Sequence, residues 1–382
     1  MPAAGVRASR ALLAVTATLF LLRLIWILRE PDLDSDAYGH FGIGSGLAVD
    51  PWKLAPHWVW LPLYHYVLAG FVRLHLPFVA ARIFANLCEV AVPWALFRAV
   101  HRASGDLSIA RDAAIACAIA GCINMLGVSA QQEALFGLLV LLCASAIDAE
   151  RMLAAGLLLA TACLIRYEAW GAAAAITAQA IVLRAAPKSL RARLGVFGEP
   201  LPFTLCLPPL VAIGGWFVVH RVGDGTWLGF LRELYTFTHQ QRVGYARSPL
   251  FEALWFPILV PIGQLGLALL LVPLGVRRAL SRGWIVPLAI YAFLLTSYVG
   301  GGSLGAGRYY GSIVPFFCVA MAHGVRVCAE RAPRVPPVLV RVVLWGSLGI
   351  CTAQTFAGML RDADARRETL RAMERDLDAR TR

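Results

Sequence analysis

Apolar residues along this chain fall in runs long enough to cross a bilayer, separated by short polar breaks. The runs lie at 11–28, 78–100, 111–127, 134–148, 152–166, 169–184, 202–219, 256–275, 284–300, 312–329 and 338–359. A perpendicular helix needs about 20 residues to span the hydrocarbon, so the shorter runs have soft boundaries. Segment 58–76 is different in kind: Pro62 interrupts it, and Tyr64, His65, Arg73 and His75 dilute its apolar character. With no repeat of fixed period and no low-complexity linker, residues 1–360 read as one transmembrane domain. Residues 361–382 read as a charged tail, with Glu368, Arg371 and Arg375 on one helical face and no chemistry assigned.

Composition agrees with this pattern. The chain is 59% hydrophobic and only 15% charged, which marks an all-α polytopic membrane protein. The C-terminal flank of the first run lacks a small-residue cleavage pattern, so that run reads as an uncleaved anchor. A net charge of +12 invites a nucleic-acid partner, but the basic residues sit in short clusters between apolar runs, as cytoplasmic loops do. Nucleic acid is therefore excluded. The nine cysteines lie in or beside apolar runs without a CxxC pair and read as small apolar fillers. Lysine occurs only at 53 and 188 beside abundant arginine and alanine, which points to a GC-rich bacterial genome and a bacterial cytoplasmic (inner) membrane.

Loop charge settles segment 58–76. Let the N-terminus, with Arg7 and Arg10, be cytoplasmic and let 58–76 lie along the outer interface, with Trp52, Trp58 and Trp60 at headgroup level. The basic clusters at 98–111, 151, 184–193, 277–282 and 326–341 then all fall inside. If 58–76 crossed, all would fall outside. The expected architecture has about eleven crossings and an external juxtamembrane helix in the first loop.

That topology was set by arginines alone, yet it gathers the other polar residues on the external face. Asp32, Asp34, Asp36, Tyr38 and His40 follow the first run. Gln131, Gln132 and Glu133 precede the fourth, and Arg166, Tyr167 and Glu168 end the fifth. The loop at 220–255 carries Trp227, His239, Arg242 and Tyr245, and Gly-rich 300–307 leads to Arg308, Tyr309 and Tyr310. Singly, each has a plain structural reading as loop, helix start or interface anchor. Together they are more informative, because carboxylates near the membrane plane are costly unless paired or facing a wet cavity. Within the bilayer Arg82, Asn86 and Glu89 share one helix face, suiting either an internal ion pair or, for Arg82 near the outer end, a substrate contact.

The order of these motifs resembles the polyprenol-dependent glycosyltransferases of the GT-C membrane fold, such as protein O-mannosyltransferases and the lipid A aminoarabinose transferase. Asp34-Ser-Asp36-Ala-Tyr38 matches their first-loop aspartate, and Trp60-Leu-Pro62-Leu-Tyr64 the juxtamembrane helix. Ala81-Arg82, Gln132-Glu133, Leu164-Ile-Arg166-Tyr-Glu168 and Gly307-Arg308-Tyr309-Tyr310 follow in family order. The acidic pair is split by Ser35, which leaves the base open between Asp36 and Asp34.

The resemblance implies a GT-C-like bundle that moves a sugar, mannose-like in the first instance, from a polyprenyl-phosphate donor to a lipid, glycan or protein hydroxyl, with inversion. It assigns Asp36 or Asp34 as base. Arg308 with Tyr309, and then Arg166, become the phosphate contacts, while His40, Glu133, Tyr38, Arg82 and Glu168 orient substrates. Three near carboxylates suit Mg²⁺ or Mn²⁺, but the resemblance favours neither metal nor cofactor. The competing class is a secondary transporter or lipid flippase built on an Arg82/Glu89 pair, which would need a polar path at mid-membrane.

Overall fold

Why the acidic stretch sits where it does follows from the helices around it. A computed structural model of the chain describes residues 3–52, 59–243 and 249–379. Trp58, Tyr245 and the side chains of Arg7 and Arg242 lie outside the described residues. Helix α1 (Ala3–Arg29) leads to α2 (Ser35–Val49) and α3 (Pro62–Arg73), which pack side by side ahead of α4 (Phe78–Ser104). Next come α5 (Leu107–Ile119), α6 (Gly121–Leu126), α7 (Gln132–Asp148), α8 (Met152–Cys163) and α9 (Glu168–Ala185). The short α10 (Lys188–Arg193) precedes α11 (Phe203–Gly223) and α12 (Gly229–Val243). One apolar stretch is then divided into α13 (Pro249–Leu254), α14 (Val260–Leu265) and α15 (Val272–Ala279), and α16 (Ile285–Val299), α17 (Val314–Arg331) and α18 (Pro337–Ala379) follow.

The protein is thus an all-α polytopic membrane protein. Six described helical segments are long and apolar enough to cross a bilayer: Ala8–Arg29, Phe78–Ser104, Phe203–Gly223, Trp255–Ala279, Arg282–Val299 and Pro337–Ala379. Others of the expected crossings are shorter; α8 has 12 residues, with Leu153 and Leu157 exposed on its outer face. Close packing relies on small residues, as expected where lipid offers no hydrophobic drive between helices. A Cβ on Gly275 would lie 2.0 Å from the carbonyl oxygen of Ala320, so α15 and α17 touch backbone to backbone.

Helix ends meet in two sets, as a chain that traverses alternately must arrange them. The end of α1 and the starts of α4, α7 and α17 gather around Asp32 and Arg308. At the opposite end Asp106, Asp148, Arg278, Trp284 and Glu330 line a separate cavity of about 500 Å³.

One element departs from the sequence reading. The stretch after Asp34, expected as loop, is the helix α2. Its four glycines, at 39, 42, 44 and 46, weigh against helix by about 1 kcal/mol each relative to alanine. Gly44 explains one of them: a Cβ there would sit 2.7 Å from Leu68 Cβ on α3. The close approach of α2 to α3 needs that glycine, and packing overrides propensity.

Candidate functional site

Asp34 is the N-cap of α2, and its side chain accepts from the Asp36 backbone N–H at 3.1 Å. This fixes Asp36 in the first turn, where a carboxylate suits the helix N-terminus. Upstream, Asp32 Oδ1 accepts from the Asp34 N–H at 3.1 Å, so the three acids form a ladder of local turns. Asp32 itself is buried. Its carboxylate takes the Ser129 hydroxyl at 2.7 Å and the Ala130 N–H at 2.8 Å, and Arg82 Nε lies 3.8 Å away. The first acid of the stretch is a structural anchor between α1 and the turn before α7.

Beyond that anchor lies a chain of alternating charges. Arg308, in the turn Gly307–Ser312, binds Asp34 through Nη1 and Asp36 through Nη2. Its Nε lies 3.1 Å from Glu133 Oε1. The same Glu133 oxygen takes Arg166 Nη1 at 2.5 Å, and Arg166 grips Glu168 through both Nε and Nη2. Tyr309 lies under this chain, its ring centroid 4.6 Å from the Arg166 guanidinium carbon. Seven residues read from the sequence (Asp34, Asp36, Glu133, Arg166, Glu168, Arg308, Tyr309) are therefore brought into one cluster.

Four carboxylates face two guanidiniums there, leaving a surplus of negative charge. Burial raises the Asp36 carboxyl above the usual range; Arg308 pulls it down and Asp34 pushes it up again. Burial alone would lower the Arg308 pKa, but Glu133, Asp34 and Asp36 raise it, so the guanidinium stays charged. Asp34 commits Oδ1 to the helix cap and Oδ2 to Arg308, whereas Asp36 engages Arg308 through Oδ2 alone.

Three sequence candidates stand apart from the charge chain. His40 is buried, with Nδ1 2.9 Å from His65 Nε2 and its ring 4.5 Å from Trp60. Burial, then the charge of Arg308, pushes its pKa down to about 3, so the imidazole is neutral at physiological pH. Tyr38 turns away: its hydroxyl donates to the Asp32 carbonyl at 2.8 Å, and its ring stacks on Phe78. Arg82 is buried and donates to the carbonyls of Val128, Ile27 and Glu30 at 2.9, 3.1 and 2.7 Å. Among the described residues Arg82 pairs with Asp32 and Glu374 and not with Glu89, whose electrostatic partner is Arg23 of α1. Trp227 is exposed on the loop before α12.

The C-terminal part of α18 supports the ladder from outside. Ala363, Leu370 and Leu377 are buried at seven-residue spacing, so this charged segment has an apolar seam. Glu374 Oε1 accepts from the Asp32 N–H at 3.0 Å and lies 3.5 Å from Arg82 Nη1. Arg366 donates to the Leu33 carbonyl, Arg371 to that of Arg29, and Asp378 caps α4 by accepting from the Phe78 N–H at 2.8 Å. Replacing Glu374 with alanine is expected to cost about 1–3 kcal/mol, because it strips a charged acceptor from a backbone donor and from Arg82. Thermal melting of the purified protein checks this. Glu374→Gln keeps an acceptor and should lose less; an unchanged melt in Glu374→Ala would mean that the segment merely rests on the surface.

Beside the charge chain lies a cavity of about 290 Å³, with Asp32, Asp34 and Arg308 on its wall. No three metal-ligating side chains converge among the described residues.

No family model matches the sequence, and no curated protein matches it. Among solved structures the chain is similar to the archaeal oligosaccharyltransferase AglB from Archaeoglobus fulgidus, determined in complex with an inhibitory peptide and a dolichol-phosphate. The TM-score is 0.53 at 12% identity, over 90% of this chain and 56% of that one. The chain thus spans a little over half the length of that neighbour, and the likeness is one of fold.

Proposed function

We propose that this protein is an integral-membrane glycosyltransferase that moves a sugar, mannose-like in the first instance, from a polyprenyl-phosphate donor to an acceptor hydroxyl. The observation that carries the reading is the cluster in which one arginine, Arg308, holds Asp34, Asp36 and Glu133 beside a cavity. The neighbour solved with a dolichol-phosphate supports a lipid-phosphate donor. Loop charge supports an external active site, and the arginine- and alanine-rich composition supports a bacterial cytoplasmic membrane.

Such a transfer needs a base and a cation. The acceptor oxygen attacks the anomeric carbon, and the bond from that carbon to the phosphate oxygen breaks with its electron pair on the phosphate. The hydroxyl proton passes to Asp36. One displacement inverts the centre. Asp36 suits the base because one of its oxygens is uncommitted and burial raises its proton affinity. Asp34, engaged at both oxygens, orients it. The donor phosphate competes with Asp34 and Asp36 for the guanidinium of Arg308, with Tyr309 alongside, so donor binding releases the base from its ion pair. Arg166 keeps Glu133 in place and is itself held by Glu168, while neutral His40 is packed against α3 and braces α2 from behind. Arg308 and Arg166 are the positive charges among the four carboxylates, and this reading gives the charge on the leaving phosphate to Arg308 and not to a divalent cation. The acceptor is a lipid, glycan or protein hydroxyl.

The transporter reading lacks its premise, since Arg82 and Glu89 have different partners and the polar cluster sits at one end. Purified protein in nanodiscs, given radiolabelled polyprenyl-phosphate mannose, glucose or arabinose with EDTA and an extract of acceptors, is expected to consume one donor. No consumption, with or without Mg²⁺ and Mn²⁺, would sink the transferase reading; consumption only with metal would sink the role given to Arg308.

A further inference from the structure

The end of the bundle opposite the charge chain holds a cavity that the transfer reaction leaves unused. It measures about 500 Å³, inside the range of roughly 300–1,000 Å³ found for ligand pockets. Helices α4, α5, α7, α15 and α17 enclose it. Its floor is apolar and buried, with Val100, Leu141, Val319 and Phe316, and the Trp284 ring stands edge-on to Phe316 at 5.6 Å.

The rim, in contrast, is charged and open. Glu330 takes Arg278 at 2.7 Å on one oxygen and Arg326 at 3.2 Å on the other, yet the two arginines are 50% and 55% exposed. Each spends one nitrogen on Glu330, so each guanidinium keeps donors that a ligand can reach. The carboxylates are mostly committed. Asp148 accepts from the Ser281 hydroxyl and the Gly283 N–H, both at 2.7 Å. Asp106 caps α5 through Oδ1 alone, which takes the Ser108 and Ile109 N–H groups and the Ser108 hydroxyl. Its Oδ2 makes no hydrogen bond among the described residues, and both Arg326 and His323 lie within electrostatic reach of it.

These groups select a ligand. Free N–H donors on two arginines suit a phosphate. Three carboxylates against two guanidiniums oppose a purely anionic headgroup, and Asp106 Oδ2 calls for a donor, best a cationic one. A headgroup with both a phosphate and a primary ammonium meets the two demands, whereas a quaternary ammonium has no N–H to give. The apolar floor suits an attached acyl chain. Position agrees, since loop arginines mark this end as cytoplasmic and Trp284 suits headgroup level.

We infer that this cavity binds a phosphatidylethanolamine of the inner leaflet, with its phosphate on Arg278 and Arg326, its ammonium on Asp106 and an acyl chain along Phe316 and Val319. The lipid fastens the ends of α4, α7, α15 and α17 to one another. None of these residues belongs to the charge chain, so the inference stands apart from the transferase reading.

Lipid retention tests it. Protein in nanodiscs of equal parts phosphatidylethanolamine, phosphatidylglycerol and phosphatidylcholine is released for native mass spectrometry. The wild type should keep phosphatidylethanolamine at least about tenfold over either of the others. Asp106→Asn still caps α5, because asparagine caps about as well as aspartate, but should lose the preference over phosphatidylglycerol. Arg278→Ala with Arg326→Ala should lose retention of all three. A thermal melt in detergent gives a second reading: added phosphatidylethanolamine should raise the Tm of the wild type by binding its folded state, and leave that of Asp106→Asn unmoved. Phosphatidylglycerol or phosphatidylcholine held as tightly as phosphatidylethanolamine, or no lipid held at all, would overturn the inference. A wild-type preference persisting in Asp106→Asn and in the double variant would overturn it too.

Discussion

Asp36→Asn is expected to lower the transfer rate on the order of 10²–10⁴-fold, the range a positioned general base contributes, while the protein remains inserted and folded. The fold should survive because the cap of α2 is Asp34, and asparagine keeps the shape of Asp36. Donor binding should persist, since Arg308 keeps Asp34 and Glu133. The pH profile carries a second signature. The base works deprotonated, and burial sets the Asp36 pKa above the ordinary carboxylate value near 4. Wild-type kcat/KM should therefore fall as pH drops through that raised value, at a higher pH than an exposed aspartate would give. Initial rates with a labelled donor across pH check both points. Asp34→Asn is the control: asparagine caps a helix about as well as aspartate, so it weakens chiefly one charged Arg308 contact and should be only partly impaired. Full activity in both variants would remove the base from this stretch.

Arg308→Ala should be as damaging by a different route. It withdraws the charge that meets the leaving phosphate, a loss of about 10²–10³-fold by analogy with removing one donor from an anion hole. It also leaves Asp34, Asp36 and Glu133 facing one another without their shared cation. Lysine restores a charge but cannot fork between two carboxylates, so Arg308→Lys should recover part of the rate and little of the order. Steady-state kinetics varying the donor, alongside a thermal melt, separate the two effects. A donor dependence unchanged in Arg308→Ala would move the phosphate site elsewhere.

Much of the arrangement was legible in the sequence for one reason: positive-inside bias is carried by loop arginines and sorts every other polar residue by side. That sorting grouped Asp34, Glu133, Arg166 and Arg308 before any contact was known, and the structure brings their side chains together. What the sequence hid depended on partners far along the chain. The spacing of Arg82 and Glu89 suggested a common ion pair, but Arg82 turns to Asp32 and Glu374 while Glu89 faces Arg23. In the sequence Arg23 is one arginine in a long apolar run, and only its burial beside Glu89 distinguishes it from a helix-end residue. Helix α2 was masked by its glycines, whose use is visible only once α3 is beside it.

The bond between Asp32 and Glu374 also sets an order of assembly. It joins residues 342 apart in sequence. In a free chain, closing a loop that long costs about 5 kcal/mol beyond a constant. Most of that cost is met in advance when the intervening helices are threaded into the bilayer and packed. The residues flanking Asp34 emerge early in synthesis, yet they lack a principal acceptor until residue 374 has left the ribosome and α18 has docked. A chain stalled before that point would carry its acids and arginines already in the membrane, with the loop that aims them still unset.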